Sequence, residues 1–248
     1  MMDSLEEKWK GLKLLEEERV GTELEEDSST ELIYKEQRTV LEKIYASRLI
    51  SNEVSMTKVW RIIKAMKFTE VSPNVFAIVF ENVADKVRVW EGRPWLFENQ
   101  VLVLKEFEGY KPLHRVNFDT ECFWVRIHNL PISHNLPISC MTKVRDEQIR
   151  GTVGKVERVD VQEDGSGWGN FLWAQVLLDL TKPIARGRTL TVRGISFWVP
   201  LSYEKFPKIC FSCGCMVHGV NGCCGDQGNN EGKEKQYGSW LRAKQIPR

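Results

Sequence analysis

The chain has 248 residues, of which 42% are hydrophobic and 10% aromatic, and this composition excludes a protein that is disordered throughout. No apolar run approaches the ~18 residues of a membrane span, and the acidic residues 1–7 lack the apolar core of a signal peptide. The net charge of +1 combines an acidic start, with 12 acidic and 5 basic side chains in residues 1–36, and a basic end, with 7 basic and 3 acidic side chains in residues 205–248.

Residues 1–36 are predicted to form an acidic extension. Ser4 and Glu7 form a capping box, and apolar residues follow at helical spacing to about Arg19, which predicts an amphipathic helix. An acidic linker comes after it. Two interpretations are open: the helix docks a protein partner, or the extension only raises solubility.

Residues 37–107 alternate between strand and helix signals. The predicted strands are 40–44, 68–71, 74–80 and 101–104. The first predicted helix begins at Ser55 and places four apolar residues on one face, Val59, Trp60, Ile63 and Met66. The second covers 84–90 and stops at Gly92. This order predicts a split βαβ domain of the ferredoxin- or RRM-like kind, with two helices on one face of an antiparallel sheet.

In RNA-recognition motifs, which share this fold, bases stack on the third strand. Residues 74–80 keep one aromatic, Phe76, but have Ile78 in place of a second and lack the basic residue and the glycine. Both faces of this strand are apolar, which favours coverage by protein over base stacking.

Residues 108–121 are predicted as a linker and residues 122–203 as a second α+β domain. Its predicted elements are a strand from Phe123, a helix at 141–150, strands at 153–161 and 171–180, and a last strand or pair of strands at 189–199, broken at Gly194. The hexapeptide 128–133 is repeated unchanged as 134–139, which we interpret as a duplication in the loop after the first strand. The predicted fold class is therefore α+β, with two small split-βαβ domains.

Residue types that carry catalysis elsewhere form no catalytic pattern in this sequence. The glycines of 163–170 precede no helix that would offer its N-terminus to a phosphate, so a flexible hairpin loop is predicted. Cys122, His114, His128 and His134 have no evident orienting group. We therefore predict that the chain is not an enzyme.

The segment 204–224 carries the most specific motif, with the spacing Cys-x2-Cys-x4-His-x4-Cys. Its predicted ligands are three thiolates and one imidazole, Cys210, Cys213, His218 and Cys223. They make a closed tetrahedral set that suits one structural zinc ion, and Cys224 competes with Cys223 for the fourth position. Five of the seven cysteines lie in 210–224, which favours metal-binding thiols in a reducing compartment inside the cell. The predicted location is the nucleus or the cytoplasm, with the nucleus slightly favoured.

This motif resembles the CCHC zinc knuckle of retroviral nucleocapsids and retrotransposon proteins. In such knuckles an aromatic residue after the first ligand stacks on a base, and the resemblance gives that role to Phe211. The chain departs from the pattern at Val217, where glycine is usual, and at Gly219, where an apolar residue is frequent. These departures leave the metal ligands intact but alter the usual two-residue stacking platform.

A longer resemblance covers about residues 40–243. The chain is similar there to plant LINE-type (non-LTR) retrotransposon-derived proteins, in which a domain of unknown function precedes a CCHC zinc knuckle. The segments that carry the resemblance are 90–97, 102–104, 123–131, 164–169, 203–207 and 237–243. It implies a retroelement-derived, nucleic-acid-binding protein with no enzymatic domain of its own.

The leading hypothesis is zinc-dependent binding of single-stranded RNA or DNA with little sequence preference and no membrane partner. Cations beside the knuckle would contact phosphates, and the predicted ones are Lys205, Lys208, Arg242 and Lys244. Residues 225–248 are predicted as a flexible basic tail. The alternative hypothesis is a protein-interaction module in which the zinc is purely structural.

Overall fold

The computed structural model of the chain describes residues 11–13, 15–20, 30–45, 59–60, 62, 66–128, 153–160, 171–192, 194–218, 222–223 and 236–244. The chain divides into two compact units, Met1–Tyr34 and Lys35–Arg248. At the end of the predicted amphipathic helix, Glu17–Arg19 form a 3-10 turn, and residues 1–10 of that prediction lie outside the described residues. Helix α1 (Thr30–Arg38), which was not predicted, leads directly into the first strand.

The first sheet has five strands in the order β2-β3-β1-β5-β4, and every neighbouring pair is antiparallel. The strands are β1 (Thr39–Ile44), β2 (Met66–Ser72), β3 (Val75–Phe80), β4 (Trp95–Phe97) and β5 (Gln100–Glu106). The four strands predicted for this part of the chain are confirmed. β4 was missed because three residues are too few to show an alternating pattern.

Helix α2 (Val83–Glu91) confirms the second predicted helix. Asn82 caps it, because its Oδ1 accepts a hydrogen bond from the Asp85 backbone N–H at 2.8 Å, and the helix ends at Gly92. The first predicted helix falls mostly outside the described residues, although residues 59–60 are helical. Met66, assigned to its apolar face, instead begins β2, so that part of the prediction is wrong.

The second sheet also has five antiparallel strands, in the order β7-β8-β6-β10-β9. They are β6 (Thr120–His128), β7 (Lys155–Asp160), β8 (Phe171–Asp179), β9 (Gly187–Val192) and β10 (Ile195–Tyr203). If the strands of each sheet are numbered from the first one in the chain, both sheets have the order 2-3-1-5-4. The predicted helix at 141–150, the glycine-rich loop at 163–170 and the second hexapeptide copy lie outside the described residues.

The described part of the chain is thus mostly β, with two antiparallel five-stranded sheets and few helices. The first sheet is antiparallel, as predicted, and the second half of the chain also forms an antiparallel sheet. The helical content of the described residues is lower than the predicted α+β class implies. None of the helices in the described residues has the length and apolar composition of a membrane-spanning helix.

Two apolar clusters fill the second unit. The larger one contains residues of both sheets, such as Leu41 and Val103 from the first and Phe123 from the second. The smaller one packs the first sheet against Val89 of α2. Phe76 belongs to this smaller cluster and is only 6% exposed, so protein covers the face on which a base would have to stack.

Glu121 joins the two sheets. Its Oε2 accepts a hydrogen bond from the Leu104 backbone N–H at 2.6 Å, and its Oε1 accepts one from the Cys122 N–H at 2.7 Å. The Arg93 guanidinium, 3.5 Å from Oε1, lies over the Trp90 ring. Burial raises the pKa of Glu121, and Arg93 and the two N–H groups oppose that rise. Because β6 begins at Thr120, the predicted linker 108–121 ends inside this strand.

Candidate metal centre and nucleic-acid interface

A tight hairpin after β10 gathers the predicted metal ligands. The Cys210 backbone N–H donates to the Cys215 carbonyl at 2.9 Å, and the Gly214 N–H donates to the Cys210 carbonyl at 2.7 Å. Gly214 has a φ of +79°, a left-handed conformation that glycine adopts without strain. This turn brings the first two thiols to the same side of the hairpin.

The ligand atoms of Cys210, Cys213, His218 and Cys223 all lie within 4.8 Å of one another. The sulfurs of Cys210 and Cys223 are 3.5 Å apart, and the Cys213 sulfur is 3.2 Å from His218 Nε2. A tetrahedral ion with metal–sulfur bonds of about 2.3 Å would hold two sulfurs about 3.8 Å apart. This Cys3His group can therefore hold a metal ion with only small adjustments.

Hydrogen bonding prepares one thiol for metal binding. Burial alone would raise the pKa of Cys210, but the backbone N–H groups of Cys213 and Ser212 donate to its sulfur and lower the pKa to about 6. A thiolate is the form that binds metal. Burial raises the pKa of Cys213. A bound cation would lower it, because the positive charge favours the thiolate.

Two further cysteines adjoin the group. Cys215 is 5% exposed, and its carbonyl closes the hairpin, so it serves the turn through its backbone. Cys224 lies outside the described residues. The structure brings Cys223 to the other three ligands.

The hairpin is attached to the second sheet. The Met216 and Val217 backbone N–H groups donate to the Leu180 carbonyl at 3.2 and 3.0 Å, and the Ile184 N–H donates to the Gly214 carbonyl at 3.0 Å. Met216 and Val217 also pack against the larger apolar cluster. The metal segment therefore shares a core with the sheets, which the sequence did not reveal.

Part of the predicted flexible tail is folded, which corrects that prediction. Ser239–Leu241 form a 3-10 turn, and the Ala243 N–H donates to the Tyr203 carbonyl at 2.9 Å. The Tyr237 ring lies against Gly214 and leaves no room for a Cβ there. Leu241 is 1% exposed, so burial of apolar side chains holds residues 236–244 on the sheet. Residues 224–235 lie outside the described part of the chain.

The residues predicted to bind nucleic acid are at the surface, but their side chains differ in availability. Phe211 is 43% exposed, and Lys208 and Lys244 are exposed. Lys205 Nζ donates to the Gly92 carbonyl at 2.7 Å and lies over the Trp95 ring. Arg242 Nη2 is 3.5 Å from the Phe206 carbonyl oxygen. Two of the four predicted cations therefore already have protein partners.

Two aromatic residues of this region were not predicted as site residues. Trp240 is 60% exposed, and Tyr237 packs on the hairpin with the Arg186 guanidinium over its ring. Both lie in 237–243, a segment that carried the family resemblance. The two aromatic residues of this segment were the signal that the sequence offered. Their packing could not be predicted, because it depends on contacts with residues that are distant in sequence.

The fold and the site define a β-rich protein with a Cys3His group that could hold a metal ion. Residues 51–112 match the model of a family described as a domain of unknown function, DUF4283. The match covers a quarter of the 248 residues and includes β2 to β5 and α2. No curated protein matches the chain.

Proposed function

We propose that the protein binds single-stranded RNA or DNA with little sequence preference and that one zinc ion holds the binding hairpin in shape. The observation that carries the proposal is the Cys3His group beside an exposed aromatic. Phe211 directly follows a ligand, and the residue is 43% exposed, although aromatic residues usually bury most of their surface. With four protein ligands, a zinc ion here would be structural and would have no open position for catalysis.

The surface charge supports the proposal. Residues 205–248 carry 7 basic and 3 acidic side chains, and Lys208 and Lys244 are exposed on either side of the hairpin in sequence. Lysines at such positions attract phosphates without reading bases. Contact with about 3 to 4 phosphates would give a log–log salt slope of about −2 to −3 for a single strand.

The wider assignment rests on the resemblance and on the match to DUF4283. We infer a retroelement-derived protein of the plant LINE type, acting inside the cell and preferentially in the nucleus, with a CCHC zinc knuckle at 210–223. The strand order β2-β3-β1-β5 supports a split-βαβ arrangement for the first sheet, and the second sheet repeats that order.

The test combines metal analysis with binding measurements on the full chain. We expect one zinc per chain and micromolar binding to short single-stranded RNA and DNA. Phe211→Ala should weaken binding about fivefold to 150-fold without changing the salt slope, because stacking contributes ~1–3 kcal/mol. Tyr110→Ala is the matched control, since Tyr110 is 85% exposed and lies outside the metal segment.

A protein-interaction module is the second candidate, and specific observations favour it. Lys205 and Arg242 already contact carbonyl groups of the protein, and Ile195 and Trp198 on the β9–β10 hairpin are 71% and 53% exposed. Exposed apolar residues of this kind suit a protein partner. If the zinc-loaded chain binds neither RNA nor DNA at ~50 mM salt, where counterion release favours binding most, this second function replaces the first.

A further inference from the structure

A cleft of ≈ 720 Å³ opens between the metal-binding hairpin and one end of the first sheet. One wall comes from the end of β1, the β2–β3 turn and the start of β5, and the other comes from residues 208–210 and 215–218. Its volume falls in the range of small-molecule sites. Neither the DUF4283 match nor the zinc-knuckle resemblance assigns a ligand to a space shared by the two parts.

The cleft suits an anion with a flat apolar part. Lys43 and Lys208 line it, and none of its described lining residues is acidic. Lys43 Nζ lies 4.7 Å from the centre of the Tyr45 ring, which also lines the cleft. Met216 and Val217 supply apolar surface on the hairpin wall. Positive charge beside an aromatic and apolar wall is the combination that single-stranded nucleic-acid sites use.

Gln100 adds a polar group to this wall. Its amide oxygen is buried and has no hydrogen-bond partner. An unsatisfied buried acceptor costs about 1–3 kcal/mol. If the Gln100 amide turned toward the cleft, a ligand N–H that bound its oxygen would recover part of that cost. The edges of all nucleobases that pair carry such N–H groups.

The turn before Gln100 is fixed in position. Glu98 and Asn99 adopt φ values of 49° and 64°, as in a tight hairpin, and the Asn99 carbonyl accepts a hydrogen bond from the Lys208 backbone N–H at 2.7 Å. This hydrogen bond therefore connects the two walls of the cleft beside Lys208. A site whose groups are held in place before binding loses less entropy when the ligand enters.

We propose that this cleft binds one nucleotide of a single strand, with its base toward Gln100 and Tyr45 and its phosphate at Lys43 and Lys208. The inference rests on the proposed function and deepens it, because it adds a base-dependent subsite on the first sheet to the contacts of the hairpin. Phe211 is exposed and does not line the cleft, so it would act on a different nucleotide.

The test uses the full, zinc-loaded chain and two probes of about ten nucleotides, an oligoadenylate and a sugar-phosphate chain of the same length without bases. Gln100→Ala should weaken binding of the oligoadenylate about threefold to tenfold and leave the base-free probe unchanged. Lys43→Gln should weaken both and reduce the salt slope by about 0.7. Lys67→Gln, which removes an exposed lysine of β2 outside the cleft, is the control for net charge.

Crosslinking locates the site independently of these variants. A photoactivatable oligoadenylate should crosslink to peptides that contain Tyr45 or Met216. Crosslinks elsewhere only, or equal loss of both probes with Gln100→Ala, would overturn the cleft while leaving nucleic-acid binding intact. If the wild-type chain binds neither probe, the proposed function fails, and the cleft inference fails with it.

Discussion

The two five-stranded sheets have the same strand order but differ in how their last hairpin is connected to the metal-binding segment. In the first sheet, β4 and β5 form a short hairpin of three residue pairs whose turn contacts the metal segment through Asn99. In the second, β9 and β10 form a hairpin of six pairs, and the metal-binding segment continues directly from β10. The shared strand order therefore supplies a common scaffold, whereas the Cys3His group is built from a segment outside it.

Removal of the metal should have the largest effect, and it tests whether the metal-binding segment is independent of the two sheets. Cys213→Ser removes one of four ligands, and small zinc modules gain on the order of 10 kcal/mol from the ion. We expect residues 204–223 to become susceptible to proteases while the two sheets keep their fold, because most side chains of the two apolar clusters lie outside this segment. Limited proteolysis and circular dichroism measure the two effects.

Cys122→Ser is the control for this experiment, since Cys122 is a buried thiol of β6 outside the ligand group. It should retain the metal. The contacts of Met216, Val217 and Tyr237 with the core give the experiment a second outcome. Cooperative unfolding of the whole Lys35–Arg248 unit on chelation would show that the site and the sheets are one folding unit.

The junction between the sheets provides the next largest effect. Glu121→Ala removes the acceptor for two backbone N–H groups and the partner of Arg93, all in a position with 0% exposure. Breaking a buried pair in this way costs about 3–5 kcal/mol. Urea unfolding should show this loss, and Glu121→Gln, which retains an acceptor, should lose less. Equal losses would mean that the retained acceptor contributes little and that the charge of Glu121 accounts for the effect.

Glu42 is the buried glutamate of the first sheet, and it differs from Glu121 because neither oxygen has a hydrogen-bond partner. Burial raises its pKa to about 8. The native state then keeps a proton that the unfolded chain releases above its ordinary pKa near 4.5, so stability falls as the pH rises from about 4.5 to about 8.

Glu42→Gln should abolish this dependence. One unit of pKa difference corresponds to ~1.4 kcal/mol, so we expect the variant to be more stable than the wild type by up to ~3 kcal/mol at about pH 7 and nearly equal at about pH 4. Thermal unfolding at the two pH values measures the difference. A variant that keeps the wild-type pH dependence would contradict the assignment of the buried proton to Glu42.

These two glutamates also mark the limit of sequence reasoning. Alternation of apolar and polar residues located nine of the ten strands of the described residues, because the strand or pair predicted at 189–199 covers both β9 and β10, and ligand spacing located the Cys3His group. β1 and β6 each bury a glutamate, which alternation of apolar and polar residues does not predict, because distant strands form the environment of its side chain. The sharing of one core by both sheets and the docking of Tyr237 on Gly214 have the same origin. Such contacts leave no periodic trace in the chain.

The smallest effect concerns the duplicated hexapeptide and compares the two sheets once more. The connection from β1 to β2 has 21 residues, 45–65, and the corresponding connection from β6 to β7 has 26, 129–154. Deletion of the second copy, residues 134–139, would leave 20, nearly the length found in the first sheet. We therefore expect the deletion to preserve strand register and to change stability by well under ~1 kcal/mol, because loop-closure entropy varies slowly with length. A thermal melt compares the deletion with the wild type. Deletion of six other residues, 141–146, in the predicted helix of that connection is the control and should destabilise the protein more. If the two deletions cost the same, the second copy is packed into the domain as firmly as the helix.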